Sequence, residues 1–383
     1  MHPVLLVSLL FIGSAFAAAD LLQNPDFETP PLHVPRNSTS PFQLLNENST
    51  IPGWTFEGTV VYVTASQTVA LPGDGHAIQL IQDGKINQTF HPNASYSHYL
   101  LTFVLAPGGQ NCSNSGSIGV SVPDNHAVFS FKQHYGKEGW ETYGVYLGSW
   151  EEQEPINLII ESQATESDAN STCWPVIDKL LIKTTETLAP GNDNLLLNGG
   201  FEFGPEFLFN STEGILLDPA PSPVLSALRQ WSITGTVKYI DSKHYFVPEG
   251  NAAVEMVSGV SAGIQTAMTV TEGSSYSLEF TLGDANDSCV GSFIVGAQAG
   301  PAAQNFTLQS NGTGSAKKLS LAFKADSMTT SISFVSYTTT QTKDGLFCGP
   351  VVDNVVLRAS HAIKSVMKWE GLIPLLFLVA ILW

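Results

Sequence analysis

The chain has 383 residues, a formal net charge of −18, and only 13% charged residues against 43% hydrophobic ones. The length suits roughly two to three average domains, and the composition excludes a disordered chain. The acidic surface repels nucleic acid and anionic lipid. It also repels polyanionic pectin unless Ca²⁺ or a local basic cluster bridges the two, and the sequence has no such cluster.

Residues 1–19 read as a signal peptide: Val4 to Phe16 is apolar, and Ala15, Ala17, Ala18 and Ala19 supply small residues for cleavage. Sequons at Asn37, Asn48, Asn87, Asn93, Asn111, Asn170, Asn210, Asn286, Asn305 and Asn311 add the expectation of a glycosylated extracellular surface.

A first unit is expected over 20–185. It opens on Asp20-Leu-Leu-Gln-Asn-Pro-Asp-Phe-Glu28 and continues through Trp54, Gly58-Thr59-Val60 and Tyr62. A Pro-Gly-Asp-Gly turn at 72–75 leads into Ala77-Ile78-Gln79-Leu80, and Tyr99 to Phe103 reads as strand. The unit closes on Cys173-Trp-Pro-Val-Ile-Asp178. Between Cys112 and that close lies a ring-rich stretch, Tyr135, Trp140, Tyr143 and Trp150, with Trp174 just beyond. Flat ring faces can stack on pyranose C–H faces, so Tyr135, Trp140 and Tyr143 are candidate sugar platforms. Trp54 reads as core.

Residues 186–193 include Ala-Pro-Gly-Asn-Asp, which is linker chemistry. A second unit over 194–358 repeats the first in order. Asn194 to Glu202 answers Asp20 to Glu28, Trp231 answers Trp54, and Gly235-Thr236-Val237 with Tyr239 answers Gly58 to Tyr62. Tyr276 to Phe280 answers Tyr99 to Phe103, and Cys348-Gly-Pro-Val-Val-Asp353 answers Cys173 to Asp178. Ser277 to Leu282 alternates apolar and polar residues, as a half-buried strand does. Many short strands with Gly and Pro turns predict an all-β fold, two tandem jelly-roll β-sandwiches.

Four cysteines allow three pairings. The duplication selects Cys112–Cys173 and Cys289–Cys348, one in each copy. Residues 359–383 read as a lipid-anchor signal: small residues including Ser360, a polar spacer, then an apolar run from Gly371 too short to span a bilayer. Ser360 is the expected attachment residue, on the outer leaflet of the plasma membrane.

Glu28 and Asp178 begin and end the first unit, as Glu202 and Asp353 do the second. If first and last strands lie side by side, each pair converges and offers oxygens to a structural Ca²⁺, or else caps a turn. Gly259-Val-Ser261-Ala-Gly263 fits the nucleophile elbow formally, but that motif needs a strand-to-helix turn with a histidine and an acid nearby. The histidines have no metal-like spacing, and no catalytic residue is expected.

Asn-Gly-Gly-Phe-Glu, Trp-x3-Gly-Thr-Val-x-Tyr, Val-Pro-Glu-Gly and Cys-Gly-Pro-Val-Val-Asp, with Gln133-His-Tyr135, Gly139-Trp140 and Ser336-Tyr-Thr338, resemble the plant cell-wall family called "domain of unknown function 642". The first copy departs at Asn24-Pro-Asp and at Cys173-Trp. The resemblance implies galactose-binding-like sandwiches, secretion to the wall, contact with wall polysaccharide, association with pectin methylesterase, and no known catalytic activity. The Asn-x-x-Phe-Glu start is also similar to that of carbohydrate-binding modules that hold Ca²⁺. The expected function is non-catalytic binding of wall polysaccharide, with an adaptor for a wall-modifying enzyme as the alternative and a glycan hydrolase ranked last.

Overall fold

A computed structural model describes residues 21–33, 40–66, 71, 75–95, 97–108, 116–163, 174–191, 193–209 and 211–360. The expected signal peptide, Cys112, Cys173, and the sequons at Asn37, Asn111, Asn170 and Asn210 lie outside these residues. So does the terminal apolar run.

The described residues are strands and turns, with no helix. In the first repeat one sheet runs edge to edge through Phe42–Leu44, Val60–Thr64, His76–Leu80, Val176–Thr185, His98–Ala106 and Glu141–Ser149. It faces a five-stranded sheet, Thr55–Glu57, Lys85–Phe90, Ile156–Ser162, Ser117–Val122 and Asn125–Ser130. The second repeat copies the order: Ile215–Leu217, Val237–Asp241, Ala252–Met256, Val351–Ala359, Ser275–Gly283 and Ala316–Lys324. Its facing sheet is Ser232–Thr234, Gly263–Thr269, Thr329–Ser336, Val290–Ala299 and Ala302–Asn311.

Period-two sequence puts one side of each strand into the sandwich. Along Ser275–Gly283, Tyr276, Leu278, Phe280 and Leu282 are buried, while Ser277 and Glu279 point outward. The core between the sheets is aromatic: Phe103 stacks on Tyr143 in the first repeat, and Phe280 meets Phe306 and Phe334 edge-on in the second. The last strand of each repeat carries a register shift against its neighbour, after Asp178 and opposite Glu279 to Thr281. Lys179 (φ 49°) and Asn354 (φ 47°) occupy equivalent left-handed positions there.

The repeats are not beads on a string. Ile215–Leu217 pairs antiparallel with Val237–Asp241 of its own repeat and parallel with Glu141–Ser149 of the other. The two principal sheets thereby join into one 12-stranded sheet. The cores interpenetrate as well. Leu100 and Tyr146 pack with the second repeat's apolar cluster, and Leu216 and Val257 with the first's. Lys132 Nζ bonds Thr236 Oγ1 at 2.9 Å across the seam and also pairs with Asp218. The Cys289–Cys348 disulfide is formed, with Cα atoms 5.9 Å apart.

Candidate functional site

The repeated Asn-x-x-Phe-Glu start is a folding knot. Asn198 and Phe201 have φ of 52° and 55°, and Asn24 and Phe27 have 50° and 54°. Asn198 Nδ2 donates to Phe203 O at 2.8 Å and Arg229 O at 3.0 Å, while Phe203 N donates to Asn198 Oδ1 at 3.1 Å. Trp231 Nε1 donates to Asn198 O and Tyr239 Oη to Phe201 O, as Trp54 and Tyr62 do to Asn24 O and Phe27 O. Trp54 and Trp231 are therefore core residues with their polar atoms satisfied by the knot.

The glutamate that ends each motif accepts hydrogen bonds from a neighbouring turn. Glu28 takes His76 N at 2.8 Å and lies 2.9 Å from His76 Nδ1. Glu202 takes Asn251 N at 2.8 Å and Asn251 Nδ2 at 3.2 Å. A Cβ on Gly75 or Gly250 would lie 1.8 or 2.0 Å from the glutamate oxygen, so only glycine admits this approach. The first segment does lie beside the last strand: Leu180 N donates to Pro25 O at 2.9 Å and Val355 N to Gly199 O at 2.7 Å.

Asp178 and Asp353 sit at the bulges of those last strands. Asp353 accepts from Glu249 N at 2.8 Å and Asn354 N at 2.6 Å. Burial first, and the Glu202 and Glu249 charges second, push its carboxyl up to about 7. Burial likewise raises Asp178 well above the usual carboxylate range, with Glu28 adding repulsion. Asp178 takes Lys179 N at 2.7 Å, and its Oδ2 has no hydrogen-bond partner. Ca²⁺ wants six to eight oxygens, so backbone carbonyls would have to join these carboxylates in holding it. The carboxylates are mostly engaged with backbone amides, and among the described residues no group of three or more His, Cys, Asp or Glu converges as a metal site.

The ring platform does not assemble. Tyr143 is fully buried, stacked on Phe103, with its hydroxyl oxygen 2.8 Å from both Ser130 O and Glu141 Oε2, so it offers no face to a sugar. It is a core residue because it falls on the inward phase of its strand. Tyr135 turns toward the seam, 5.3 Å from the Phe347 ring of the second repeat, and Trp140 packs half-buried on the apolar group around Val61 and Val176. Trp150 packs against Phe90 and Tyr99. Ser261 lies in an exposed turn (φ 76°) ahead of a strand rather than at a strand-to-helix turn, so the elbow geometry is missing. The sequon asparagines Asn48, Asn93, Asn286, Asn305 and Asn311 are exposed, and Asn87 is half-buried.

The open feature lies elsewhere. The outward face of the second repeat's principal sheet forms a groove of about 710 Å³ with a polar lining. Ser277 and Glu279 come from one strand, Asn354 and Arg358 from the next, and Lys318 and Ser320 from the edge. Arg358 Nη1 donates to Glu279 Oε2 at 2.5 Å, Lys318 Nζ lies 3.6 Å from Glu249 Oε2, and Asn354 Nδ2 bonds the same glutamate. A second hollow of about 410 Å³ follows the seam between the repeats, between Tyr146 and Val128 on one side and Pro219, Pro221 and Leu225 on the other. Neither feature was found from sequence. The alternation of Ser277 and Glu279 with buried neighbours marks an outward face, but nothing local says whether that face is covered.

A family model described as "Protein of unknown function (DUF642)" matches residues 20–183 and 194–358. The chain belongs to the DUF642 family. Among DUF642 relatives, "Protein DUF642 L-GALACTONO-1,4-LACTONE-RESPONSIVE GENE 2" of Arabidopsis thaliana is 32% identical over 375 residues, covering 93% of this chain and 98% of its own. "Protein TEEBE" of the same plant is 31% identical over 346 residues, covering 88% of this chain and 90% of its own. Of solved structures, the tandem N-terminal CBM22 domains of Paenibacillus barcinonensis Xyn10C align with 84% of this DUF642 chain and 100% of their own length. They do so at 13% identity and a TM-score of 0.28, from which nothing about a ligand follows.

Proposed function

We propose that this DUF642 protein is a non-catalytic, extracellular binder of plant wall polysaccharide, held at the cell surface by a glycolipid on Ser360. The observation that carries the reading is the open polar groove on the second repeat. Paired side chains from three adjacent strands present donors and acceptors there in a fixed array, as recognition of a hydroxyl-rich chain requires. Secretion is supported by the apolar leader, the sequons and the Cys289–Cys348 bond, which suits an oxidising compartment. The test is retention of the purified protein on wall polymer fractions, compared with a Ser277→Ala/Ser320→Ala variant. Retention should fall in the variant, and the polymers should be recovered uncut. Cleavage of a polymer, or equal retention of both proteins, overturns the reading.

A second reading, an adaptor for a basic wall-modifying enzyme such as pectin methylesterase, is favoured by the net charge of −18. Capture of such an enzyme from wall extract should weaken as salt rises, since exposed charges are screened beyond about 8 Å at physiological ionic strength. Salt-independent capture would reject it.

A further inference from the structure

The duplication allows the two principal sheets to be compared face by face. Phe103 and Phe280 occupy equivalent positions, as do Asp178 and Asp353. Glu279 therefore answers Thr102, and Arg358 answers Lys183. Strand register carries this to the edge. Thr102 faces Gly144 and Glu279 faces Ser320, so Ser320 answers Gly144.

These equivalent faces have opposite fates. In the second repeat, Glu279 and Ser320 are exposed. In the first, Thr102 is fully buried, because the opening segment of the second repeat lies across it. Thr102 Oγ1 donates to Glu206 O at 2.8 Å, and Lys183 Nζ meets Glu206 Oε2 at 3.2 Å. A Cβ on Gly144 would strike Pro205 at 2.7 Å and Leu217 at 2.8 Å. The Arg229 guanidinium lies 5.5 Å over the Tyr146 ring further along the same strand. The first repeat's groove is thus already filled by residues of its own chain.

The occupant also reports how the face is balanced. On the first repeat, the face itself places no acid at Thr102, and Glu206 of the covering segment supplies the carboxylate for Lys183. On the second, Glu279 stands at the threonine's place and neutralises Arg358 from within the face, as Glu249 does Lys318. The open groove therefore needs no carboxylate from a ligand. Two acids and two bases close their charges on one another and leave hydrogen-bonding capacity to either side.

Resting on the carbohydrate reading above, we propose that each molecule carries a single glycan site, the groove of the second repeat. That site takes a neutral, hydroxyl-bearing chain in preference to a uronate chain, while the first repeat's equivalent site is closed by Pro205, Glu206 and Leu217. The two repeats are not two equal grips on one polymer.

The experiment is titration calorimetry of the full chain with neutral β-1,4-linked xylo-, gluco- and galactohexaose and with α-1,4-hexagalacturonate, at low and high salt. One neutral hexaose should bind per chain with an affinity that salt barely changes. Glu279→Gln leaves Arg358 without its counter-charge. It should weaken the neutral ligand by about tenfold or more, the worth of a hydrogen bond to a charged group, and bring in salt-sensitive binding of hexagalacturonate. Glu279 is half exposed, so the fold should tolerate the change, and its thermal scan checks this. Stoichiometry and salt response on the unaltered chain decide the matter if the variant does not fold. Two neutral sites per chain overturn the closure of the first repeat. Preferential, salt-sensitive binding of hexagalacturonate by the unaltered chain overturns the neutral choice and leaves the carbohydrate reading standing. Binding of none of the four overturns the carbohydrate reading and this inference with it.

Discussion

Asn198 does three things in one turn: it closes a loop with its amide, accepts from Phe203 N, and tolerates a left-handed φ. Alanine would forfeit the bonds and strain the backbone. Asn198→Ala should therefore cost about 2–4 kcal/mol, read as a lower urea midpoint at unchanged m-value. Asp353 sets a pH dependence of known sign. Its folded pKa of about 7 lies above the ordinary aspartate value, so the folded protein holds a proton that the unfolded chain has released. That contribution is fully present below about pH 4 and is lost as pH rises through 7. His98 acts oppositely: burial and then the Arg229 charge lower it to about 4, so its contribution is lost as pH falls from 6.5. Burial likewise pushes the Glu255 carboxyl up to about 8, so both carboxyls act in the same sense between pH 6.5 and 8, and melting temperature should fall across that window, less steeply in Asp353→Asn. An identical slope in the variant would assign the effect to other groups. Sequence marked these carboxylates and the repeated Trp, Phe and Tyr, because recurrence picks out positions that geometry constrains. It misplaced Tyr143 because a ring-rich stretch reads alike whether the rings face the core or solvent.

At the scale of elements, most strands were legible. Period-two runs such as Ser275–Gly283 and the β-branched Val351–Ala359 state both their conformation and their buried side. Ile215–Leu217 was not. Three apolar residues carry no period, and their partner strand lies far away in sequence. Yet this short strand joins the two principal sheets, with all three side chains buried. Leu216 packs into the first repeat's core, so Leu216→Ala should cost about 2–5 kcal/mol. The loss should appear as reduced hydrogen-exchange protection in Glu141–Ser149 as well as around residue 216. Protection lost only locally would mean that the parallel pairing adds little.

For the whole molecule, the shared cores and the continuous sheet predict one cooperative thermal transition rather than two, with matching calorimetric and van't Hoff enthalpies. Two resolved transitions would show that the seam is weak. The seam has a further consequence, concerning growth. It joins one kind of sandwich edge to the opposite kind, a heterologous contact that need not close on itself and could propagate as a fibre. Among the described residues both kinds end the sheet with no further strand paired to them: Phe42–Leu44 at one end, Ala316–Lys324 at the other. A second molecule could in principle add where the second repeat adds to the first. What stands at the growing end is Lys317 and Lys318, where the docked edge carries Glu141 and Thr142. Lysines on an open edge discourage strand addition. Lys317→Glu/Lys318→Thr should therefore sediment as a concentration-dependent ladder of oligomers while the parent chain keeps a single mass. On this view, the duplication contains the rule for an endless array, and two ammonium groups end it after the first step.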